Sequence, residues 1–549
     1  MGERRCGAGD MSDDPSAGMT RDRVVANLTV LLQDGSLASA DTGDLTEGIE
    51  VRSETFFDAG PASDRVVVVD VEPGASEPSP PVPFTPPRPG GVEGRYDAPR
   101  AAPGQPGFAA WLQAGTYGLV MRAIELFEYA DVLARRIQWN FDAERLTVRP
   151  RADRTSNAAY RRERASLEFG AFDSKVDPGT TIYTALSRDI VAHETAHAVL
   201  DSIRPDLANG NPQSIALHEA LADLTALHMA LRSASLRDAV MRANDFRLTD
   251  STPFNAIGEE MGLGRGVDGS LRNLAHAKTM KDVDRNDAHD LSEVLSGALW
   301  SMFRRAFDAD VERAPGDLEQ RAGRALGIGS KRFRRITLRA LDYLPHGEAG
   351  FIDYGRALIA SDRAAHPRHN RERRWLREEF VRRGIVGHAD ELESPIALAT
   401  VADVGALIAD GGAAAFFEAR RSEFGVPAES VLEVLPVQRV EREFFPSGHT
   451  DRRVELILGC RWREKKTGLM IPGLPPVLEY TIGATVVIAE VTGDVLSALV
   501  SSAAQAEATA KLAAVTRLAL TASPDVGHRL ETVGGAVRVI NGAAALHLT

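Results

Sequence analysis

Cysteine is almost absent from this chain: Cys6 and Cys460 are the only two in 549 residues. A disulfide framework is thereby excluded, and neither residue can belong to a multi-cysteine metal site. Long apolar runs are missing too. No stretch of about 18 or more apolar residues escapes interruption by charge, Gly or Pro, so no membrane span is expected. Residues Met1–Thr20 are rich in Gly, Asp and Ser and lack the apolar core of a secretory signal. A cytoplasmic protein is the expectation, with Met11 and Met19 as alternative starts. Positive charge is also in short supply. The formal net charge of -13 argues against a nucleic-acid or anionic-membrane partner, since both reward clustered Lys and Arg. The basic runs Arg371–Arg374 and Arg382–Arg383 are interleaved with Glu372, Glu378 and Glu379 and read as solvated helix faces.

What is present is ordinary globular material, 44% hydrophobic and 26% charged, long enough for several folding units. Residues 1–22 read as disordered, and 23–72 as a small β-rich segment in which Val66–Val69 is the clearest strand. Residues 73–107 are dense in Pro and Gly and read as a linker. From Phe108, apolar residues recur at helical intervals through Trp111, Tyr117, Met121, Ile124 and Phe127. Leu146–Val148 and Ser166–Phe169 read as strands. Helices are expected over Ile182–Ser202, Gln213–Ser233 and Leu291–Phe307, with helical character to about Gly384. Beyond 388 the texture changes to strands at Val431–Val440, Val454–Cys460 and Ile482–Val491, followed by an Ala-rich helix over Ser501–Leu520. Residues 389–549 are therefore expected to form a separate C-terminal α+β domain, a possible surface for a protein partner.

The chemistry concentrates in one place. His193-Glu194-Thr195-Ala196-His197 is an HExxH pattern inside an apolar helical run. On a helix, positions i and i+4 lie on one face, so both imidazoles reach one cation while Glu194 stands beside a vacant coordination position. Alone, five residues are a modest signal. The next helix strengthens it: in His218-Glu219-Ala220-Leu221-Ala222-Asp223, two carboxylates again sit at i and i+4. Glu219 follows His197 by 22 residues, enough for one helix to end, turn through Arg204–Pro212 and pack back. Pro205, Asn209, Gly210 and Pro212 supply the turn. Glu219 then completes a His2Glu zinc site with an open fourth position, and Asp223 accepts the free ring N–H of His193. His218 and His228 read as packing or supporting residues.

HETAH followed by HEALAD resembles the thermolysin-like zinc peptidases, gluzincins whose second motif is Glu-x-x-x-Asp. The resemblance covers about 108–388 and continues on both sides. Asn157-Ala158-Ala159-Tyr160 looks like the family's edge-strand segment, which implies that Asn157 and Ala158 bind substrate backbone. Gly269-Ser270-Leu271-Arg272 resembles its Ser/Ala-Leu-Arg motif, which implies that Arg272 holds a substrate carbonyl. Asp284-Arg285-Asn286-Asp287-Ala288-His289 matches its spacing between an orienting Asp and an oxyanion-binding His, here Asp284 and His289. The resemblance implies an α+β fold with a mixed N-terminal lobe, a helical C-terminal lobe and the zinc helix between them. It also implies peptide hydrolysis of a peptide or protein substrate, with Glu194 as general base and Zn2+ as cofactor.

The sequence departs from the family in three respects. Ala208 stands where the family places a tyrosine that assists the oxyanion. The segment between Arg272 and His289 is short. No set of calcium-binding acidic loops is evident, which leaves calcium open. Two functions follow, a zinc endopeptidase or a catalytically weak or silent zinc protein that acts as a scaffold.

Overall fold

The computed structural model describes residues 24–32, 45–208, 211–250, 252–267, 269–285, 287–444, 451–502, 506, 508–521 and 528–541. The expected disordered segment 1–22, the turn residues Asn209 and Gly210, and Asn286 lie outside them. The fold is α+β with several sheets. No helix among the described residues is long and apolar enough to cross a membrane.

The chain begins with β1 (Val24–Leu31), β2 (Thr46–Ser53), β3 (Phe57–Asp58), β4 (Ala62–Ser63) and β5 (Val66–Val68). Then come β6 (Phe84–Thr85) and β7 (Glu93–Tyr96). A first sheet has the order β2-β1-β7-β6, with β7 parallel to β1. Its inner face meets α1 (Phe108–Glu128), and the approach is close: a Cβ on Gly118 would lie 2.3 Å from Leu28. The stretch 73–107, expected to be a linker, instead supplies two of this sheet's four strands. Val82 and Tyr96 are buried, and the Tyr96 hydroxyl donates to the Asp58 carbonyl at 2.7 Å. The prolines keep this stretch extended, and the few apolar residues between them are enough to fasten it to the core.

A second, mixed sheet carries β8 (Leu146–Asp153), β9 (Ala158–Arg161), β10 (Ser166–Asp173) and β11 (Thr181–Tyr183) in the order β11-β10-β8-β5-β4-β3. Because β5 pairs in parallel with β8, the N-terminal segment belongs to the same sheet as the strands that follow α1. The short β9 pairs antiparallel with β10 and with no other described strand, so its outer edge is open.

Beyond the sheet lie α2 (Arg188–Ile203), α3 (Pro212–Arg232), α4 (Ala234–Ala243), β12 (Ala256–Ile257), α5 (Glu259–Arg265) and β13 (Arg272–Asn273). Four longer helices follow, α6 (Ala288–Arg313), α7 (Leu318–Arg339), α8 (Phe351–Ala365) and α9 (Arg371–Arg382). One contiguous apolar core runs from Ala26 through these helices. On α9, Arg374 and Arg382 pair with neighbouring glutamates at the surface, as the interleaved charges suggest. Arg373 and Glu372, expected on the same solvated face, are instead buried in ion pairs with Asp362 and Arg332. Arg383 differs. It is fully buried and donates to the carbonyls of His276 and Lys278, pinning the loop that leads into α6.

The C-terminal strands β14 (Glu433–Val434), β15 (Gln438–Phe444), β16 (Asp451–Thr467), β17 (Val477–Ala489), β18 (Val495–Val500), β19 (His528–Val533) and β20 (Ala536–Asn541) form one sheet. Alternation divides its faces. Leu456, Leu458, Cys460 and Trp462 join Tyr480, Ile482 and Val486 in a second core, whereas Ile457 and Val487 face the first. The C-terminal residues thus have a core of their own and are also built into the main one. Arg442, fully buried, joins the two through the carboxylates of Asp342 and Glu455 and the Val132 carbonyl. Arg135 holds Asp342 by two bonds of 2.6 Å, and the Tyr343 hydroxyl donates to Glu455 at 2.8 Å.

Removing one member of a buried ion cluster leaves the others uncompensated, typically at about 3–5 kcal/mol. Arg442→Ala is therefore expected to lower unfolding stability by that order. Arg439→Ala, which breaks an exposed, solvent-screened pair with Glu490, is expected to leave stability nearly unchanged. Urea melts of the two variants check this; equal losses would refute it.

Candidate metal centre

Local sequence explains how α2 and α3 come together. Ser187 caps α2 by accepting from the Ile190 N–H, and Asp189 lies in the first turn, where the helix dipole favours an acid. The helix ends at Arg204, just before Pro205. Asn211 caps α3 with its side chain on the N–H groups of Gln213 and Ser214, and Pro212 occupies the first turn. Both helices are apolar almost all round, so they are buried, and the polar residues on their facing sides must satisfy one another.

They do so around a single point. The Nε2 atoms of His193 and His197 are 3.0 Å apart. Glu219 Oε2 lies 3.3 Å from His193 Nε2, and Glu219 Oε1 lies 3.6 Å from His197 Nε2. One ligand atom from each of the three residues falls within 4.8 Å of the others. The opposite ring nitrogens are occupied: His193 Nδ1 bonds Asp223 Oδ1 at 2.9 Å, and His197 Nδ1 meets His218 Nδ1 at 2.6 Å. A ring that donates through Nδ1–H presents a lone pair at Nε2. With both rings in that form, two imidazole nitrogens and a carboxylate would converge on one cation. Glu219 is fully buried, and neither of its oxygens makes a hydrogen bond. Burial by itself raises its pKa, yet the charges of His289 and His197 hold it well below the usual carboxylate range. An ionised, buried carboxylate without a hydrogen bond is costly unless a cation sits against it. The donor set fits a divalent metal, and His193, His197 and Glu219 would hold it.

The surroundings keep these ligands in place. Burial and Arg272 both oppose a positive His193, but Asp223 and Glu219 outweigh them and lift its pKa to about 9. Asp223 is shared: besides His193 it takes Arg272 Nε at 2.9 and 3.0 Å and Arg272 Nη2 at 2.8 Å. Arg272 lies on β13, which pairs with β12, so a two-stranded ribbon carries the guanidinium to the metal helices. His218 is the partner of His197, stacked on it with ring centroids 4.7 Å apart.

The site opens into a cleft of about 310 Å3. Glu194, His193, Arg272, His289, Asn157 and Ala158 all line it. Glu194 Oε2 accepts the Tyr160 N–H of β9 at 3.0 Å. His289, at the start of α6, places Nε2 at 3.3 Å from Glu219 Oε2, and the Glu219 charge raises its pKa. Asp284 is exposed on the preceding turn, its N–H donating to Asp290 Oδ2, and it is not among the cleft-lining residues. Asp287 instead caps α6 by accepting from the N–H groups of His289 and Asp290. Ala208 is buried in the turn after α2, and no tyrosine lines the cleft. Three contributors had no role assigned from the sequence: Arg265, and Asp287 and Tyr160, which lie inside the Asp284–His289 and Asn157–Tyr160 motifs. For Asp287 the helix-capping pattern before Ala288 was the available signal. No protein-family model matches the chain, and no curated protein matches it in sequence.

The partners of metal-binding histidines usually govern affinity by 10–100-fold. Asp223→Ala and His218→Phe are each expected to weaken metal binding by roughly that factor. Competition with a chromophoric chelator measures it, and affinities equal to wild type would separate these residues from the site. Chelation of the parent protein is expected to lower its melting temperature reversibly, because a metal at about 100 times its Kd contributes ~2.7 kcal/mol.

Proposed function

We propose that the chain is a zinc metallopeptidase of thermolysin-like architecture, with the mixed sheet as one lobe, α3 and α6–α9 as the other, and α2 between them. The observation that carries this reading is the convergence of His193, His197 and Glu219 at the floor of a cleft. That cleft is bordered by Glu194 and by the open edge of β9. A purely structural metal site has no use for an acid beside an open face. Two imidazoles and one carboxylate are the donors of a catalytic zinc site, and zinc bound there supplies Lewis acidity toward water and toward a carbonyl oxygen.

The chain's own residues supply the rest. Glu194 acts as general base, taking a proton from the attacking water and handing it to the leaving amine. Its Oε2 is held by the Tyr160 N–H, which fixes its direction in the resting protein. A peptide adds to the free edge of β9, where the backbone of Ala158 occupies the position equivalent to that of Tyr160, two residues away. Asn157 lines the same end of the cleft. Arg272 and His289 present N–H donors where negative charge develops on the carbonyl oxygen, and each such donor is typically worth about 3 kcal/mol. Because Asp223 holds Arg272 in two directions, that donor needs no reorganisation when substrate arrives. Asp284 is assigned no step.

One observation favours a second reading, a weak or silent scaffold: no tyrosine stands in the cleft to complete the oxyanion donors. The same measurement separates the two readings. Glu194→Gln is expected to bind zinc in wild-type stoichiometry yet cleave peptides at least about 10²–10³-fold more slowly. His289→Ala is expected to lower kcat by roughly 10²-fold with little change in KM. Metal analysis with a peptide-library digest tests both. Full turnover by the Glu194→Gln protein, or no cleavage by zinc-loaded wild type, overturns the peptidase reading.

A further inference from the structure

Every acid that lines the cleft is already engaged. Glu194 receives the Tyr160 N–H, Asp287 caps α6, and Lys278 reaches both Asp290 and Glu293. The cations are not matched in the same way. Arg272 is neutralised by Asp223, whereas Arg265, at the end of α5, forms no ion pair among the described residues. Its Nη2 donates to the Ser156 carbonyl, and its Nε is buried without a hydrogen-bond partner. Burial lowers its pKa, and no carboxylate opposes that shift. A half-buried guanidinium in a cleft wall, with one face on backbone and no counter-charge, is a vacant carboxylate receptor.

We infer that Arg265 selects substrates by binding a carboxylate a short distance to one side of the cleaved bond. The position follows from β9. Tyr160 marks the Glu194 end of the strand, and Ser156, which anchors Arg265, lies four residues before it. Extended chains rise about 3.3 Å per residue, so a peptide along this edge meets Arg265 within about four residues of the attacked bond. Ile190, Met261 and Leu271 line the same cleft and offer an apolar surface to a neighbouring side chain. The carboxylate is either an Asp or Glu side chain or the peptide's own C-terminus; Arg265 recognises the group common to both.

The inference rests on the reading of the cleft as a peptide site, and the test separates the two. Zinc-loaded wild type is given a random peptide mixture and the cut products are sequenced by mass spectrometry. Asp and Glu are expected to be enriched at one position within about four residues of the cut, or cuts are expected to cluster near free but not amidated C-termini. The best peptides are then titrated against the Glu194→Gln protein, with and without Arg265→Gln. That change is expected to weaken binding roughly tenfold, and replacing the peptide's acid by its amide is expected to do the same without adding to it. Arg265→Lys is expected to restore part of the preference, and Arg265→Glu to shift it toward Lys and Arg. Cleavage indifferent to carboxylates, or a profile unchanged by Arg265→Gln, overturns this inference and leaves the peptidase reading standing. Absence of any cleavage overturns both.

Discussion

An ionised glutamate buried between imidazoles is the constraint from which the rest of this molecule can be derived. Glu219 has no access to water, and the ring nitrogens of His193 and His289 at 3.3 Å and of His197 at 3.6 Å close around its oxygens. Such a group survives folding only with a cation at its centre or with protons borrowed from its neighbours. Glu219 lies on α3, which packs against α2, and the N-terminal end of each helix is capped by a side chain, Asn211 and Ser187. A metal held there would couple its binding to the packing of α2 on α3.

Asp223 extends that constraint outward. It fixes the tautomer of His193 on one side and the orientation of Arg272 on the other, so the metal site and the cleft wall share a single carboxylate. On the proposed reading, the two arginines of the cleft would serve different ends. Arg272 is electrically balanced and rigid, suited to a fixed dipolar contact with backbone. Arg265 is unbalanced and half-exposed, suited to recognising charge on a side chain or chain end. Uniform contacts of the first kind give affinity, and a contact of the second kind gives discrimination.

The metal centre was legible because its residues obey helical spacing, and an i, i+4 pair on each of two apolar helices leaves few geometries in which both are buried. His218 was readable as a supporting residue by its place next to Glu219. Asn157, Ala158, Arg272 and His289 came through resemblance, and what the cleft does with them could not be read from spacing. Asp284 came by the same route; the structure puts it on an exposed turn, and Asp287 takes the capping position beside His289. The Pro-rich stretch failed for a different reason. Composition reports how much apolar surface a segment has, whereas Val82 and Tyr96 matter because of where two strands place them. Arg442 was unreadable in principle, since its partners Val132 and Asp342 lie far away in sequence.

The C-terminal sheet reaches the metal centre through the same kind of long-range bond. The turn between α2 and α3 sets the offset of Glu219 from the two histidines, and Asp206 lies in that turn. Asp206 accepts from the Gly347 N–H at 3.2 Å and from Arg461 of β16 at 3.1 Å. Gly347 is in turn pressed against β17, its position over Ile482 and Gly483 so tight that a Cβ would lie 2.7 Å from the Gly483 nitrogen. His346 fills the space that a side chain at Gly459 would need, 2.5 Å from its ideal Cβ. Residues 389–549, expected to form a separate accessory domain, have a core of their own and also place Val440, Ile457, Val487 and Leu499 in the main one. The bonds at Asp206 give that region a further role. It braces, from outside, the one turn whose geometry decides whether three ligands meet at a point, so the sheet is part of what holds the metal site in register.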